Sequence, residues 1–242
     1  MEEAFLRMQW LYGKDAMKKL ASSHVAVFGI GGVGGYVVEG LARCGIGALD
    51  LIDHDTVSLT NINRQIIATH HNLGRYKVDL AQERIEAINP ECIVKTYRLL
   101  YLEDTAEKFA MEQYDYIVDA IDTVSGKLLL VEKAREANTP IISAMGAGNK
   151  VNPTLFEVTD IFETSICPLA RVMRRECKKR GIDRLKVVYS KEKPLTIRDI
   201  DGEEQPQKPA NNGKRSVPGS VAFVPSVVGM IIAGEVIQDL LT

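Results

Sequence analysis

The sequence predicts an α/β fold: a Rossmann-like, mostly parallel sheet flanked by helices, with a substrate-facing C-terminal extension. Short apolar runs rich in β-formers alternate with stretches of helical period through residues 20–150, the pattern of βαβ units. The first run stops at a glycine cluster, Gly29-Ile30-Gly31-Gly32-Val33-Gly34, which opens a helical stretch. Asp53 ends the second run nineteen residues after Gly34, where such folds place an acid.

The elements follow in order. Residues 24–29 form a continuous apolar run, as a strand buried on both faces should. Helical spacing covers 33–44, and 48–53 reads as the next strand. A helix over 76–88 is ended by Asn89-Pro90, because the residue before proline is pushed out of the α region. Strands are predicted at 93–97, 116–121 and 141–144, with a helix over 126–137 stopped before Thr139-Pro140. Beyond about Lys150 the pattern loosens. Short strands at 155–158 and 186–189 bracket a basic helix over 169–180. A polar loop bearing Pro and Gly covers 197–213, and a closing helix covers 225–241. The expectation is a single domain over 1–242. Its nucleotide-binding core spans 20–150, and 151–242 forms a crossover and substrate region with the closing helix.

Composition narrows the function classes. A chain of 242 residues buries a core without disulfide or metal staples. Hydrophobic content of 45% with 26% charged residues excludes collagen, disorder and coiled coil. A net charge of −2 excludes a polycation, so any nucleic-acid contact must come from a local patch. Cys44, Cys92, Cys167 and Cys177 are scattered with no CxxC pair, which argues against zinc and against a disulfide framework, and fits a reducing compartment. The N-terminus begins acidic without an apolar core, unlike a secretory signal. Residues 216–234 carry no charge and approach the length of a membrane span. Pro218, Gly219, Pro225, Gly229 and Gly234 interrupt them. A buried helix is the better reading, giving a cytoplasmic protein with no stable membrane association.

Glycines at 29, 31, 32 and 34 allow a tight turn and let backbone N–H groups approach phosphate oxygens at a helix N-terminus. The plainer alternative is that they only pack helix on strand. A dehydrogenase would need one ribose-binding acid after the second strand. Here Asp53-His54-Asp55 is followed by Asn61, Asn63-Arg64-Gln65 and Lys77. Arg64 and Lys77 suit phosphate charge, and Asn61 or Gln65 suits ribose or phosphate oxygens. Asp119-Ala120-Ile121-Asp122 then ends a strand on the ligand side of such a sheet, where a carboxylate suits Mg2+ bridging phosphates.

Gly29–Gly34, the run from Asp53 to Gln65, the lysine of Gly74-Arg75-Tyr76-Lys77 and the Asp119/Asp122 pair together resemble the E1-like adenylating enzymes. That family activates the carboxylates of ubiquitin and of sulfur-carrier proteins with ATP. The resemblance spans about residues 5–160 and recurs in the last helix. Trp10-Leu11-Tyr12-Gly13, Asn63-Arg64-Gln65-Ile66 and Ile88-Asn89-Pro90-Glu91-Cys92 are similar to the branch that dehydrates threonylcarbamoyladenosine in tRNA. The implied reaction adenylates the carboxylate of this nucleoside at tRNA position 37. Intramolecular attack by its carbamoyl group then expels AMP and gives the cyclic product.

The resemblance further implies that Gly29, Gly31, Gly32 and Gly34 form the phosphate loop. Asp53 holds ribose, Asp55 joins the ATP site, and Asn61, Arg64, Gln65 and Lys77 face the phosphates. Asp122 positions Mg2+ or the attacking carboxylate. Arg7, in an N-terminal arm, reaches the partner subunit's site, so a homodimer is implied. Lys127, five residues after Asp122, contacts substrate carboxylate or phosphate. ATP and Mg2+ are the implied cofactors, with a monovalent cation as a further candidate and zinc not expected. A sulfur-transfer system with a cysteine desulfurase is a candidate partner. For Arg7 and Lys127 a charged helix face explains the residue as well.

Cys167 precedes Pro168 where the dehydratase branch usually carries aspartate, and internal cyclisation needs no enzyme thioester. Cys44, Cys92 and Cys177 read as packing, and His24, His54, His70 and His71 lack metal-ligand spacing. Between Arg171 and Lys191 stand nine basic residues against Glu176 and Asp183. Arg171, Arg174, Arg175, Lys178 and Lys179 are the candidate tRNA contacts, a solvated helix face being the plain alternative. Three other readings compete: an adenylyltransferase for the C-terminal Gly-Gly of a ubiquitin-like sulfur carrier, a non-catalytic nucleotide-binding scaffold, and an NAD dehydrogenase.

Overall fold

The computed structural model describes residues 3–198, 207–208 and 215–242. A seven-stranded sheet organises the chain, in the spatial order β3-β2-β1-β4-β5-β7-β6. Its strands are β1 (His24–Phe28), β2 (Ala48–Ile52), β3 (Ile93–Tyr97), β4 (Tyr116–Asp119), β5 (Ile141–Ala144), β6 (Phe156–Asp160) and β7 (Lys186–Ser190). All neighbours run parallel except β6, which pairs antiparallel with β7 from Phe156↔Ser190 to Asp160↔Lys186. The mostly parallel α/β architecture read from the sequence is the one observed. A two-stranded ribbon, β8 (Gln207–Lys208) with β9 (Arg215–Ser216), stands apart from it; the rest of the expected 197–213 loop, from residue 199, lies outside the described residues.

The helices are α1 (Leu6–Ser22), α2 (Gly34–Arg43), α3 (Lys77–Ile88), the single turn α4 (Glu103–Ala106), α5 (Val124–Glu136), α6 (Pro168–Lys179) and α7 (Phe223–Leu241). Alternation along each strand divides the core between two faces. Val25 and Val27 of β1 join the cluster formed with α2, α3 and α7, whereas Ala26 and Phe28 join Tyr101, Phe109 and Leu130 on the other side. Beneath β5 and β7, α5 and α6 contribute Leu128, Val131, Ala170, Met173 and Cys177. Cys177 and Cys92 are buried and Cys44 is half-buried, all as thiols.

Two departures from the sequence reading have local causes. The N-terminal segment carrying Arg7, for which the sequence predicted no element, is a helix. Its signal is weak because Gly13 sits inside it at φ 84, breaking the helical period, and Leu20 is its one buried residue. The strand expected over 116–121 ends at Asp119, and α5 begins at Val124 rather than at Gly126. The intervening turn therefore carries Asp122.

The apolar C-terminal segment is α7. By length and composition it could cross a membrane, yet Val224, Val228, Ile232, Val236 and Ile237 are buried against the sheet and α2. Such positions each stabilise by about 1.5–3 kcal/mol when buried. Glycine permits the close crossing: a Cβ on Gly40 would lie 2.6 Å from Ala233 Cβ, and one on Gly229 2.5 Å from the Val33 carbonyl oxygen. Polar contacts fix the far end. Tyr116 donates its hydroxyl to Asp239 at 2.5 Å, and Lys186 Nζ contacts Asp239 at 2.9 Å and Glu235 at 2.6 Å.

Candidate active site

Strand order reverses beside β1, between β2 on one side and β4 on the other, so the carboxyl ends of β1 and β4 form the crevice where open α/β sheets bind ligands. The glycine loop fills the β1 side. Gly29 has φ 91, and a Cβ there would meet the Ala120 carbonyl oxygen at 2.6 Å. Gly34 is tighter still, since its Cβ would stand 1.8 Å from the Gly29 oxygen. Any side chain at 34 would push the turn off the helix start. Gly31 meets nothing closer than the Gln65 amide at 4.0 Å, leaving room above the loop.

Asp53 closes the loop from β2. Its Oδ2 accepts the Ile30 N–H at 2.7 Å, and its Oδ1 accepts the Asp55 N–H at 2.8 Å. Asp55 in turn receives Lys77 Nζ at 2.6 Å, with Lys77 almost fully buried. The polar turn after β2 folds over this pair. Asn61 is buried, and its Oδ1 accepts the Ser58 N–H, so part of its hydrogen-bonding capacity is local. Gln65 is buried with Oε1 lacking any partner, an acceptor still to be satisfied. Arg64 is half-buried, which pulls its pKa down from the ordinary value. It donates Nη1 to the Thr60 carbonyl at 2.8 Å and to Asn63 Oδ1 at 3.0 Å, and its Cγ covers Gly32. Asn63 also donates Nδ2 to the Ser220 carbonyl at 3.0 Å. The turn is thereby tied to the segment entering α7.

The β4 side holds a pair that spacing alone did not distinguish. Asp122 is exposed on the turn, whereas Asp119 is completely buried. Lys127 is 1% exposed and gives Nζ to Asp119 Oδ2 at 3.0 Å and to the Ala144 carbonyl at 2.8 Å. Asp119 Oδ1 accepts the Ile121 N–H at 3.1 Å. The expected contact of Lys127 with substrate is corrected here: one turn into α5, its ammonium points into the sheet and is held by a buried carboxylate. Ser143 Oγ, in register with Asp119 on β5, and Thr123 Oγ1 are buried without partners.

Past β5, Asn149 adopts φ 59 and exchanges two hydrogen bonds with Gly219: its N–H donates to the Gly219 carbonyl at 2.8 Å, and its Oδ1 accepts the Gly219 N–H at 2.7 Å. Lys150 is buried with Nζ on the Gly146 carbonyl at 2.8 Å, and burial lowers its pKa. Neither residue carried a sequence signal beyond the Gly-Asn-Lys of a loop. Cys167 is 1% exposed at the start of α6.

The basic helix is less free than its composition implies. Arg174 is half-buried and donates to the Thr164 carbonyl at 2.7 Å, with a second contact to the Thr164 hydroxyl, so it fastens α6 to the preceding turn rather than facing solvent. Arg175 and Lys179 are exposed but both pair with Glu176. Arg171 and Lys178 are exposed, and among the described residues no carboxylate pairs with them. Arg7 is exposed on α1, beside Trp10 and Leu11, which are 71% and 82% exposed.

Two surface cavities of about 320 Å3 lie elsewhere, sharing Arg43, Ala87 and Ile88, and neither is lined by the glycine loop or the β4 end.

Known proteins share this fold. The ThiF family model matches residues 6–242. The chain is 42% identical to a tRNA threonylcarbamoyladenosine dehydratase of Bacillus subtilis (strain 168), covering 100% of this chain and 96% of that protein. The solved structure of the Escherichia coli tRNA N6-threonylcarbamoyladenosine dehydratase TcdA with AMP superposes with TM-score 0.87 at 32% identity, over 99% of this chain and 94% of that one. The same enzyme with ATP gives 0.85.

Proposed function

The chain belongs to the ThiF family, and from that membership we propose that it is an ATP-dependent tRNA threonylcarbamoyladenosine dehydratase. The full-length likeness to dehydratases, one of them seen with AMP and ATP, carries this reading and favours it over activation of a ubiquitin-like carrier. In this reaction the nucleoside carboxylate attacks the α-phosphorus of ATP. An acyl–O–P bond forms as the bond to diphosphate breaks. The neighbouring carbamoyl group then attacks the activated carbonyl, AMP leaves, and the nucleoside has lost one water.

The chain's own groups suit each demand. Backbone N–H groups at the start of α2 and the glycines at 29, 31, 32 and 34 leave room for phosphates. Asp53 accepts one hydroxyl of ribose while keeping the loop closed through Ile30. The Gln65 and Asn61 side chains hydrogen-bond nucleotide oxygens, and Arg64 and Lys77 oppose the charge that develops at the α-phosphate. Asp55 holds Lys77 in place. Asp122 is a hard, exposed oxygen donor on the turn facing the glycine loop, which fits a magnesium ion bound mainly through phosphates. When bound, Mg2+ would offset phosphate charge. Arg7 completes the site of a second copy, and the exposed Trp10, Leu11 and Tyr12 beside it supply an apolar face for a homodimer. Residues 20–150 act as the nucleotide core, and 151–242 supply the crossover and substrate region with the closing helix. The cytoplasm is the compartment consistent with tRNA as substrate, and a cysteine desulfurase system is a further partner of this reading.

The test is AMP release from ATP by the purified protein, with and without tRNA carrying threonylcarbamoyladenosine, the nucleoside being weighed by mass spectrometry. Stoichiometric AMP and a nucleoside lighter by one water are expected. AMP formation that ignores this tRNA but responds to a peptide ending in Gly-Gly would replace the dehydratase with a carrier adenylyltransferase.

A further inference from the structure

Helix α6 begins at the ligand edge. Leu169, in its first turn, lies 3.8 Å from where a Cβ on Gly146 would stand, just beyond the carboxyl end of β5. Its 12 residues then run back along the molecule for about 18 Å. Arg171, Arg175, Lys178 and Lys179 follow at i, i+4, i+7 and i+8, so their side chains share one exposed face. The buried Ala170, Met173 and Cys177 fix that orientation by anchoring the opposite face on α5 and β7. The row therefore leads away from the site where the modified base would react, as a track for the phosphates flanking it.

One acid sits inside this row. Glu176 Oε1 receives Arg175 Nε at 3.2 Å and Lys179 Nζ at 2.9 Å, and Oε2 receives Arg180 Nη1 at 2.8 Å. Arg180 and Lys179 hold its carboxyl down to about 2, so it stays charged at any working pH. Arg180 is gripped again by Glu132 of α5, Nε to Oε1 at 2.9 Å. Two cations of the row, with Arg180 at the C-cap, are thus already engaged at distances a phosphate oxygen would use.

We propose that Glu176 is an internal competitor of RNA phosphate, holding Arg175, Lys179 and Arg180 so that the α6 row binds tRNA more weakly than its cations allow. The proposal rests on the tRNA-modifying function above. Its physical content is a balance: each phosphate contact by Arg175 or Lys179 must displace an ion pair whose cation is exposed and solvent-screened. A substrate released after every turnover is served by such a balance, because tight binding of product would slow the cycle.

The experiment measures binding of tRNA carrying threonylcarbamoyladenosine to the intact protein across a salt series. Glu176→Gln should bind about three- to tenfold more tightly at about 0.1 M salt, with a steeper dependence of affinity on salt because more counterions are released. Arg171→Gln with Lys178→Gln should bind more weakly and with a shallower slope. Unchanged or weaker binding by Glu176→Gln, beside the expected loss in the double variant, overturns the role of Glu176 and leaves the α6 track standing. No change in any variant overturns both, while tRNA-stimulated AMP release would still uphold the dehydratase. Should Glu176→Gln fail to fold, Glu176→Ala, which removes the acid and keeps a strong helix former, carries the same expectation of tighter binding.

Discussion

Lys127 and Asp119 illustrate how much depends on the direction of one side chain. Both are out of water, and each is the other's only charged neighbour within ion-pair distance among the described residues. Removing one partner strands a buried charge, which costs about 3–5 kcal/mol, whereas removing both is far milder. Lys127→Met should therefore lower stability to chemical denaturation by that amount, and adding Asp119→Asn should recover most of the loss. Equal losses in the single and double variants would show that the pair matters through shape alone. In the sequence, Lys127 is one basic residue five positions from Asp122. Only its placement opposite Asp119, across a parallel strand and a helix turn, reveals that it is structural. Asp53, by contrast, was legible: an acid ending the second strand after a glycine loop has few other positions to occupy.

At the scale of elements, the packing of α7 on α2 depends on two glycines. A methyl at Gly229 would press on the Val33 oxygen at 2.5 Å and the Tyr36 Cβ at 2.7 Å, and the first of these is backbone that cannot swing away. Gly229→Ala should cost about 1–3 kcal/mol, a fall of several degrees in Tm for a chain this size. Gly234 lies on the same helix, and a Cβ there would meet nothing within 4 Å. Gly234→Ala should leave Tm unchanged or raise it slightly, as alanine is the better helix former. Thermal melts of the two variants side by side separate crowding from helix propensity. The strands and long helices were legible because period and punctuation agree in them. Helix α1 was not, because Gly13 interrupts its period and its packing lies mainly on elements distant in sequence.

Across the whole molecule, Asp50 ties the N-terminal half of the sheet together. Burial pushes its carboxyl up, but hydrogen bonds from His24 at 2.8 Å and Tyr114 at 2.9 Å, with Tyr97 at 3.1 Å, outweigh that and hold it below the ordinary value. A carboxylate depressed in the folded state contributes stability above its unfolded pKa of about 3.9 and loses it as pH falls through the lower folded value. Wild-type stability should thus drop with acid below about pH 4, and Asp50→Asn should show lower stability at neutral pH with a flatter acid limb. An acid limb identical in the two proteins would remove Asp50 from the balance. The proposed dimer is tested by mixing variants. Arg7→Ala and Asp122→Ala should each be inactive. Their mixture after subunit exchange should regain about a quarter of wild-type AMP release, since half the dimers then hold one site with both residues intact. Silence in the mixture would place Arg7 in its own subunit's site, and an active Arg7→Ala by itself would place it outside catalysis.

What the sequence determined by itself is the part of this protein governed by local rules. The glycine loop needs glycine wherever backbone meets backbone, buried parallel strands need unbroken apolar runs, and the acid after β2 needs a fixed spacing from the loop. These gave the α/β sheet and the family resemblance. The tertiary structure decided which of many charged side chains are free. Lys127 turned inward to Asp119, Arg174 turned back to Thr164, and Arg175 and Lys179 were claimed by Glu176. The reason is physical: burial and ion pairing depend on contacts between segments far apart in the chain, and a charge count along the sequence contains no distances.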